Sequence, residues 1–185
     1  MLSTAVPVVG FAAWSGSGKT TLMVKTLPLL KRMGVRVGVV KHAHHDFEID
    51  YPGKDSYELR KAGAAQMLVG SRKRWALITE PEHGADPRLE TLLGYLHLDH
   101  LDLVLVEGFK PEAVAKIEVF RPSLGQPLLA LEDAGIVAVA TDDPGAVPLD
   151  LPVLDINNPG EVASFLVERF LPGHEAAGRP AAADA

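Results

Sequence analysis

Six consecutive residues, Ser15, Gly16, Ser17, Gly18, Lys19 and Thr20, bring together the groups that hold a phosphate chain. The glycines let the backbone turn tightly, so that successive N–H groups point at one set of oxygens. A helix opening at Lys19 adds its positive dipole end. Lys19 supplies a charge for the β- and γ-phosphates, and Thr20 a hydroxyl for Mg²⁺. Ser15 to Thr20, with Thr21 in the same first turn, are therefore the candidate nucleotide-binding residues, and Lys19 is also a candidate for stabilising charge during phosphoryl chemistry. The full pattern G-x-x-x-x-G-K-[ST] is not met, because Ala13 holds the place of its first glycine. Alanine serves there only if the backbone needs no positive φ. A Gly/Ser-rich turn before a helix is the alternative, but G-x-G-K-[ST] arises by chance in under about one per cent of chains this long.

The loop works only between a strand and a helix, and the flanking sequence supplies both. Residues 6–13 form a short apolar run, expected as a buried strand. Residues 19–33 have helical composition and close at Gly34, with Pro28 predicting a kink or an early stop. A second strand is expected over 35–40, which makes a strand–helix–strand unit and implies a parallel sheet. Polar residues 43–54 read as a loop. Asp55 and Glu58 can form a capping box for a short helix that ends at Gly63. Strands are expected at 66–69 and 76–79, as an antiparallel hairpin or a dimerisation element. A helix follows at 88–95. The aliphatic run 101–106 predicts a central strand buried on both faces, with further strands at 116–120 and 136–140 and a closing helix at 160–171. The expected fold class is thus α/β, a three-layer P-loop NTPase fold with a mostly parallel sheet. Its organisation is one nucleotide-binding domain over 1–171 and a disordered tail over 172–185.

Two acids flank the aliphatic run, Asp102 near its start and Glu107 at its end. Ligands of open α/β sheets lie beyond the carboxyl ends of the strands, which selects Glu107 as the acid beside the metal. Gly108 would let the chain pass close to the phosphates. Lys41, His42, His44, His45 and Asp46 follow the second strand at the same edge. This segment reads as a polar switch loop, a transition-metal site or a solvated loop. Lys41 is placed to meet phosphate, while Asp46 and Asp50 are candidates for water or magnesium contacts. Asp46 is also the candidate for orienting a hydrolytic water. Asp142, in the turn after strand 136–140, could accept hydrogen bonds from guanine donors that adenine lacks. Arg60 and Lys61 are either surface residues of a capped helix or contacts for an anionic ligand or partner.

Composition narrows the partners. The 185 residues are 47% hydrophobic and carry a formal net charge of -6, a poor balance for wrapping nucleic acid. Arg72, Lys73 and Arg74 read as a solvated basic loop. With no cysteine, disulfides, thiolate metal sites and cysteine nucleophiles are excluded. The N-terminus lacks a signal-peptide pattern and no apolar run reaches membrane-span length, so a cytoplasmic location is expected.

The stretch Ala12-Ala13-Trp14-Ser15-Gly16-Ser17-Gly18-Lys19-Thr20-Thr21 resembles the phosphate loop of the MobB family of molybdopterin-guanine dinucleotide biosynthesis adaptor proteins. Lys41 to Asp46, residues 52–65, Arg74-Trp75-Ala76-Leu77 and Leu105 to Lys110 are similar as well, so the likeness runs from about residue 8 to about 171. Ala13 for glycine fits the family pattern. The resemblance implies a GTP-binding homodimer with shared sheet edges. It also implies a role in assisting the separate guanylyltransferase that joins GMP to molybdopterin, with at most slow GTP hydrolysis. The residues alone leave open a small-molecule kinase, a GTP-dependent metal-insertion chaperone using His42, His44 and His45, or a scaffold with a vestigial loop.

Overall fold

A computed structural model describes residues 4–43, 47–80, 86–109, 112 and 114–174. The chain groups into two compact units, residues 1–42 with 88–185, and residues 43–87.

The first unit is a wholly parallel six-stranded sheet flanked by helices. Its strands are β1 (Val8–Ala13), β2 (Val37–Lys41), β5 (Leu103–Glu107), β6 (Ala115–Phe120), β7 (Ile136–Thr141) and β8 (Val153–Asp155), in the order β2-β5-β1-β6-β7-β8. All five residues of β5 are buried. Side chains alternate along a strand, so Leu103 and Leu105 join one core cluster and Val104 and Val106 another. Helices α1 (Lys19–Arg32) and α4 (Pro159–Phe170) cover the first face through Leu22, Met23, Leu30, Val162 and Leu166. Helix α3 (Leu89–Leu93) covers the second through Leu89 and Leu93. Covering both faces produces the three layers and explains why β5 reads as an unbroken aliphatic run.

Helix α1 runs through Pro28 to Arg32, so the early stop expected there does not occur. The missing donor removes a single internal bond, and the buried Leu22, Met23 and Leu30 hold the helix on both sides of it. Asn158 caps α4 by accepting from the Glu161 N–H. The short edge strand β8 is absent from the sequence reading, since three residues show no periodicity. Glu118 and Lys116 alternate in β6 as solvent-facing residues would, yet both are buried. The Glu118 carboxylate accepts 2.8 Å bonds from the Leu129 and Ala130 N–H groups. Lys116 meets Asp133 at 2.8 Å.

The second unit holds α2 (Asp55–Lys61) and the antiparallel hairpin β3 (Gln66–Gly70) and β4 (Trp75–Thr79). Lys54, not Asp55, takes the N-cap position, without a side-chain cap. Glu58 still reaches back, accepting from the Gly53 N–H at 3.4 Å. Ser71 organises the hairpin turn by donating to the Arg74 carbonyl at 3.0 Å, which leaves Arg72, Lys73 and Arg74 exposed. Arg60 is buried and pairs with Glu48 at 2.7 Å and with Glu80, so its charge is already engaged within this unit. Of the tail expected over 172–185, residues 172–174 form a turn in which the His174 N–H donates to the Leu171 carbonyl at 2.9 Å, and residues 175–185 lie outside the described residues.

Candidate functional site

β1 delivers the chain to the carboxyl edge of the sheet at Ala13, which is buried in the core. No non-glycine residue among those described has a positive φ, so the first position of the motif makes no demand that alanine fails to meet. The next turn does make such demands. Gly16 (φ 82) and Gly18 (φ 88) both sit in the left-handed region, where any side chain would be strained. The loop is held from within. The Ser17 hydroxyl donates to the Trp14 carbonyl at 2.9 Å, and the Trp14 indole N–H donates to the Pro127 carbonyl at 2.8 Å. Gly18 is the N-cap of α1, with no side-chain cap, and no acid occupies the first turn. The backbone donors and the dipole of that helix end are thus left for an anion. Ser15, Thr20 and Thr21 are exposed beside them.

Glu107 ends β5 between two neighbours, level with Phe11 of β1 and Lys41 of β2. Thr20 Oγ1 donates to its Oε1 at 2.9 Å, and Lys19 Nζ lies 3.2 Å from the same oxygen. Lys41 Nζ stands 3.6 Å from Oε2. Burial pushes the Glu107 carboxyl up. The Thr20 hydrogen bond and the charges of Lys19 and Lys41 outweigh it, and the group is held below the usual carboxylate range. It is therefore an anion at neutral pH, in contact with a lysine and a hydroxyl from the phosphate loop. The Thr20 hydroxyl and this carboxylate form the hard-oxygen pair that suits a magnesium ion.

Gly108 has φ 94, and a Cβ there would come 3.1 Å from the His42 carbonyl oxygen and 3.0 Å from its Cβ. The glycine is needed for this approach of two strand ends. His42 packs on Phe109, with ring centroids 5.0 Å apart. His44, His45 and Asp46 lie outside the described residues. Asp50 accepts from the Tyr51 N–H at 3.0 Å and the Ser56 hydroxyl at 3.1 Å, within the second unit. At the start of β5, Asp102 forks onto Arg36 at 2.9 and 3.0 Å. This pair stands at the amino edge, as geometry required.

Asp142 lies at the carboxyl edge after β7, exposed and ion-paired with Arg121. Arg121 is the residue that sequence reasoning missed. It follows β6, and its Nε donates to the Ser17 carbonyl at 3.2 Å. A residue ending β6 reaches the same carboxyl edge as Glu107 at the end of β5. Placing it beside the loop requires knowing that β6 pairs with β1, which no local pattern reveals.

A phosphate loop between the first strand and first helix of a parallel sheet, faced by a carboxylate from the adjacent strand, defines a nucleotide-binding protein of the P-loop class. The family model described as MobB, molybdopterin guanine dinucleotide synthesis protein B, matches residues 8–142. The chain belongs to this family. It is 50% identical over 166 residues to the molybdopterin-guanine dinucleotide biosynthesis adapter protein of Escherichia coli K12, covering 89% of this chain and 94% of that one. The Haemophilus influenzae protein of the same description is 38% identical over 165 residues, covering 89% and 90%. Among solved structures, a MobB homolog from Bacillus stearothermophilus superposes with a TM-score of 0.66 at 29% identity, over 88% of this chain and 97% of that chain. Bacillus subtilis MobB gives 0.67 at 26% identity, over 90% and 99%.

Proposed function

We propose that this chain binds GTP with Mg²⁺ and acts as an adapter in making the guanine dinucleotide form of the molybdenum cofactor. The observation that carries the reading is the meeting of Lys19 and Thr20 on Glu107 beside a loop with left-handed Gly16 and Gly18. The relatives' printed role as biosynthesis adapters supplies the biological setting. Lys19 turns from Glu107 to the β- and γ-phosphates, the backbone N–H groups of residues 15, 16 and 18–20 hold their oxygens while that of Ser17 donates to the Trp14 carbonyl at 3.3 Å, and Lys41 adds charge from β2. Thr20 and Glu107 are the residues that would hold the metal, which would neutralise phosphate charge. Asp142 receives the guanine donors through the carboxylate oxygen not engaged by Arg121.

The partner in this reading is the enzyme that transfers GMP to molybdopterin, with molybdopterin as the acceptor on that enzyme, in the cytoplasm. Any GTP hydrolysis is slow, with Asp46 as the residue that orients water. The chain works as a homodimer. Its hairpin supports this, since Leu68, Val69, Trp75 and Leu77 are all exposed, and exposed apolar strands are suited to pairing with a second copy.

Guanylyl transfer to molybdopterin by the purified transferase, at limiting GTP, is expected to accelerate when this chain is added and to lose that gain with Lys19→Ala. Equal acceleration by the variant, or none by the wild type, contradicts the proposal.

A further inference from the structure

Arg121 belongs to no motif, yet its guanidinium is built into the back of the phosphate loop. Nε donates to the Ser17 carbonyl at 3.2 Å, and Nη1 is paired with Asp142. A Cβ placed on Gly18 would stand 3.9 Å from both Nε and Nη2. The far end of this link is itself fixed. Thr141 is buried, its hydroxyl accepts from the Asp143 N–H at 3.1 Å, and Asp143 accepts from the Gly145 N–H at 3.1 Å. A firm turn after β7 therefore holds Asp142, Asp142 holds Arg121, and Arg121 holds one carbonyl of the loop.

That carbonyl shares a peptide unit with the Gly18 N–H. In a trans peptide the C=O and the N–H point in opposite directions, and the described residues contain no cis bond. Fixing the Ser17 oxygen on the Arg121 side thus aims the Gly18 N–H away from Arg121. Glycine needs such a restraint, because at φ 88 it has no side chain to limit rotation of this peptide.

We infer that Arg121 is a positioning residue of the nucleotide site, anchored by Asp142, which orients the Ser17–Gly18 peptide for phosphate. The inference rests on the proposed nucleotide binding. It has a consequence that simple charge does not. Removing the negative Asp142 from beside an anion site should tighten anion binding by Coulomb's law. If Asp142 anchors Arg121, its removal loosens the loop and weakens that binding.

Calorimetric titration of inorganic tripolyphosphate, which has no base, into the full chain separates these outcomes, with GTP titrated in parallel. Arg121→Ala is expected to weaken tripolyphosphate binding roughly tenfold, the scale of one charge-assisted hydrogen bond. Asp142→Asn is expected to weaken it in the same direction, by about threefold or more. Arg121→Lys keeps the charge but cannot span both partners, and should recover only part of the loss. Thermal melting of each variant shows that it is folded; should Arg121→Ala fail to fold, Arg121→Lys and Asp142→Asn carry the test. Unchanged or tighter binding by Asp142→Asn, or full recovery by Arg121→Lys, overturns the inference while Lys19-dependent binding of GTP by the wild type stands. Absence of any Lys19-dependent binding by the wild type removes the nucleotide reading itself, and this inference with it.

Discussion

In the unit that holds the phosphate loop, apolar side chains disappear into the protein: Leu103, Val104 and Leu105 of β5 are each 0% exposed. In residues 43–87 the hairpin does the reverse, with Leu68 at 63% and Trp75 at 57% exposed. The charged groups differ in the same sense. Arg60 of the second unit is ion-paired with both Glu48 and Glu80. Lys19, Lys41, Thr20 and Glu107 instead lean on one another at the carboxyl edge of the sheet, contacts that the proposed nucleotide would replace. One unit is thus a tightly packed platform with polar groups gathered at one edge, and the other carries exposed apolar side chains on its hairpin. Positioning a phosphate requires a stiff frame, whereas pairing with another copy requires an available edge.

Substitutions that act on only one unit sharpen this contrast. Leu105→Ala should remove about 2–5 kcal/mol of unfolding free energy, through lost burial and a cavity in the platform, as read by urea denaturation. A loss under about 1 kcal/mol would mean that β5 is not the keystone described here. Lys19→Ala should cost GTP affinity on the order of a hundredfold with little change in melting temperature.

Acid titration addresses the amino edge of the same platform. The Arg36 hydrogen bonds and charge hold the Asp102 pKa at about 2, against the opposing effect of burial. The unfolded value is higher, so this stabilisation is complete above the ordinary carboxylate pKa and fades as pH falls towards 2. Arg36 is half exposed, which limits the contribution to about 1 kcal/mol or less. Asp102→Asn should therefore flatten the acid limb of the stability curve. An unchanged acid limb would remove Arg36–Asp102 from the account.

The smallest stability effect is expected in the hairpin. The pair Leu68→Glu with Trp75→Glu should change the unfolding free energy of the monomer by about 0.5 kcal/mol or less. It should nevertheless move the species seen in sedimentation from dimer to monomer. A dimer that survives both changes places the interface elsewhere.

What the sequence made legible follows from the range of each cause. The loop from Ser15 to Thr20, the two-faced burial of β5 and the place of Glu107 depend on local spacing and strand direction, which can be read residue by residue. The cap of α2 was misjudged by one residue, because Lys54 and Asp55 adjoin and only backbone angles separate cap from first turn. Arg121 and Glu118 were illegible for a deeper reason. Their partners lie 104 and 11 residues away in sequence, and only the pairing of β6 with β1 and the fold-back of residues 129–130 bring those partners close. Tertiary pairing also explains the tolerance of Pro28, which local propensity alone marks as a break.

The most direct measurement of the central claim is calorimetric titration of GTP and ATP, each with Mg²⁺, into the wild type and Lys19→Ala. Saturable, near-stoichiometric binding of GTP is expected, with weaker binding of ATP and loss of both with Lys19→Ala. Absence of binding by either nucleotide, or binding that Lys19→Ala leaves intact, would contradict a nucleotide site built on this loop.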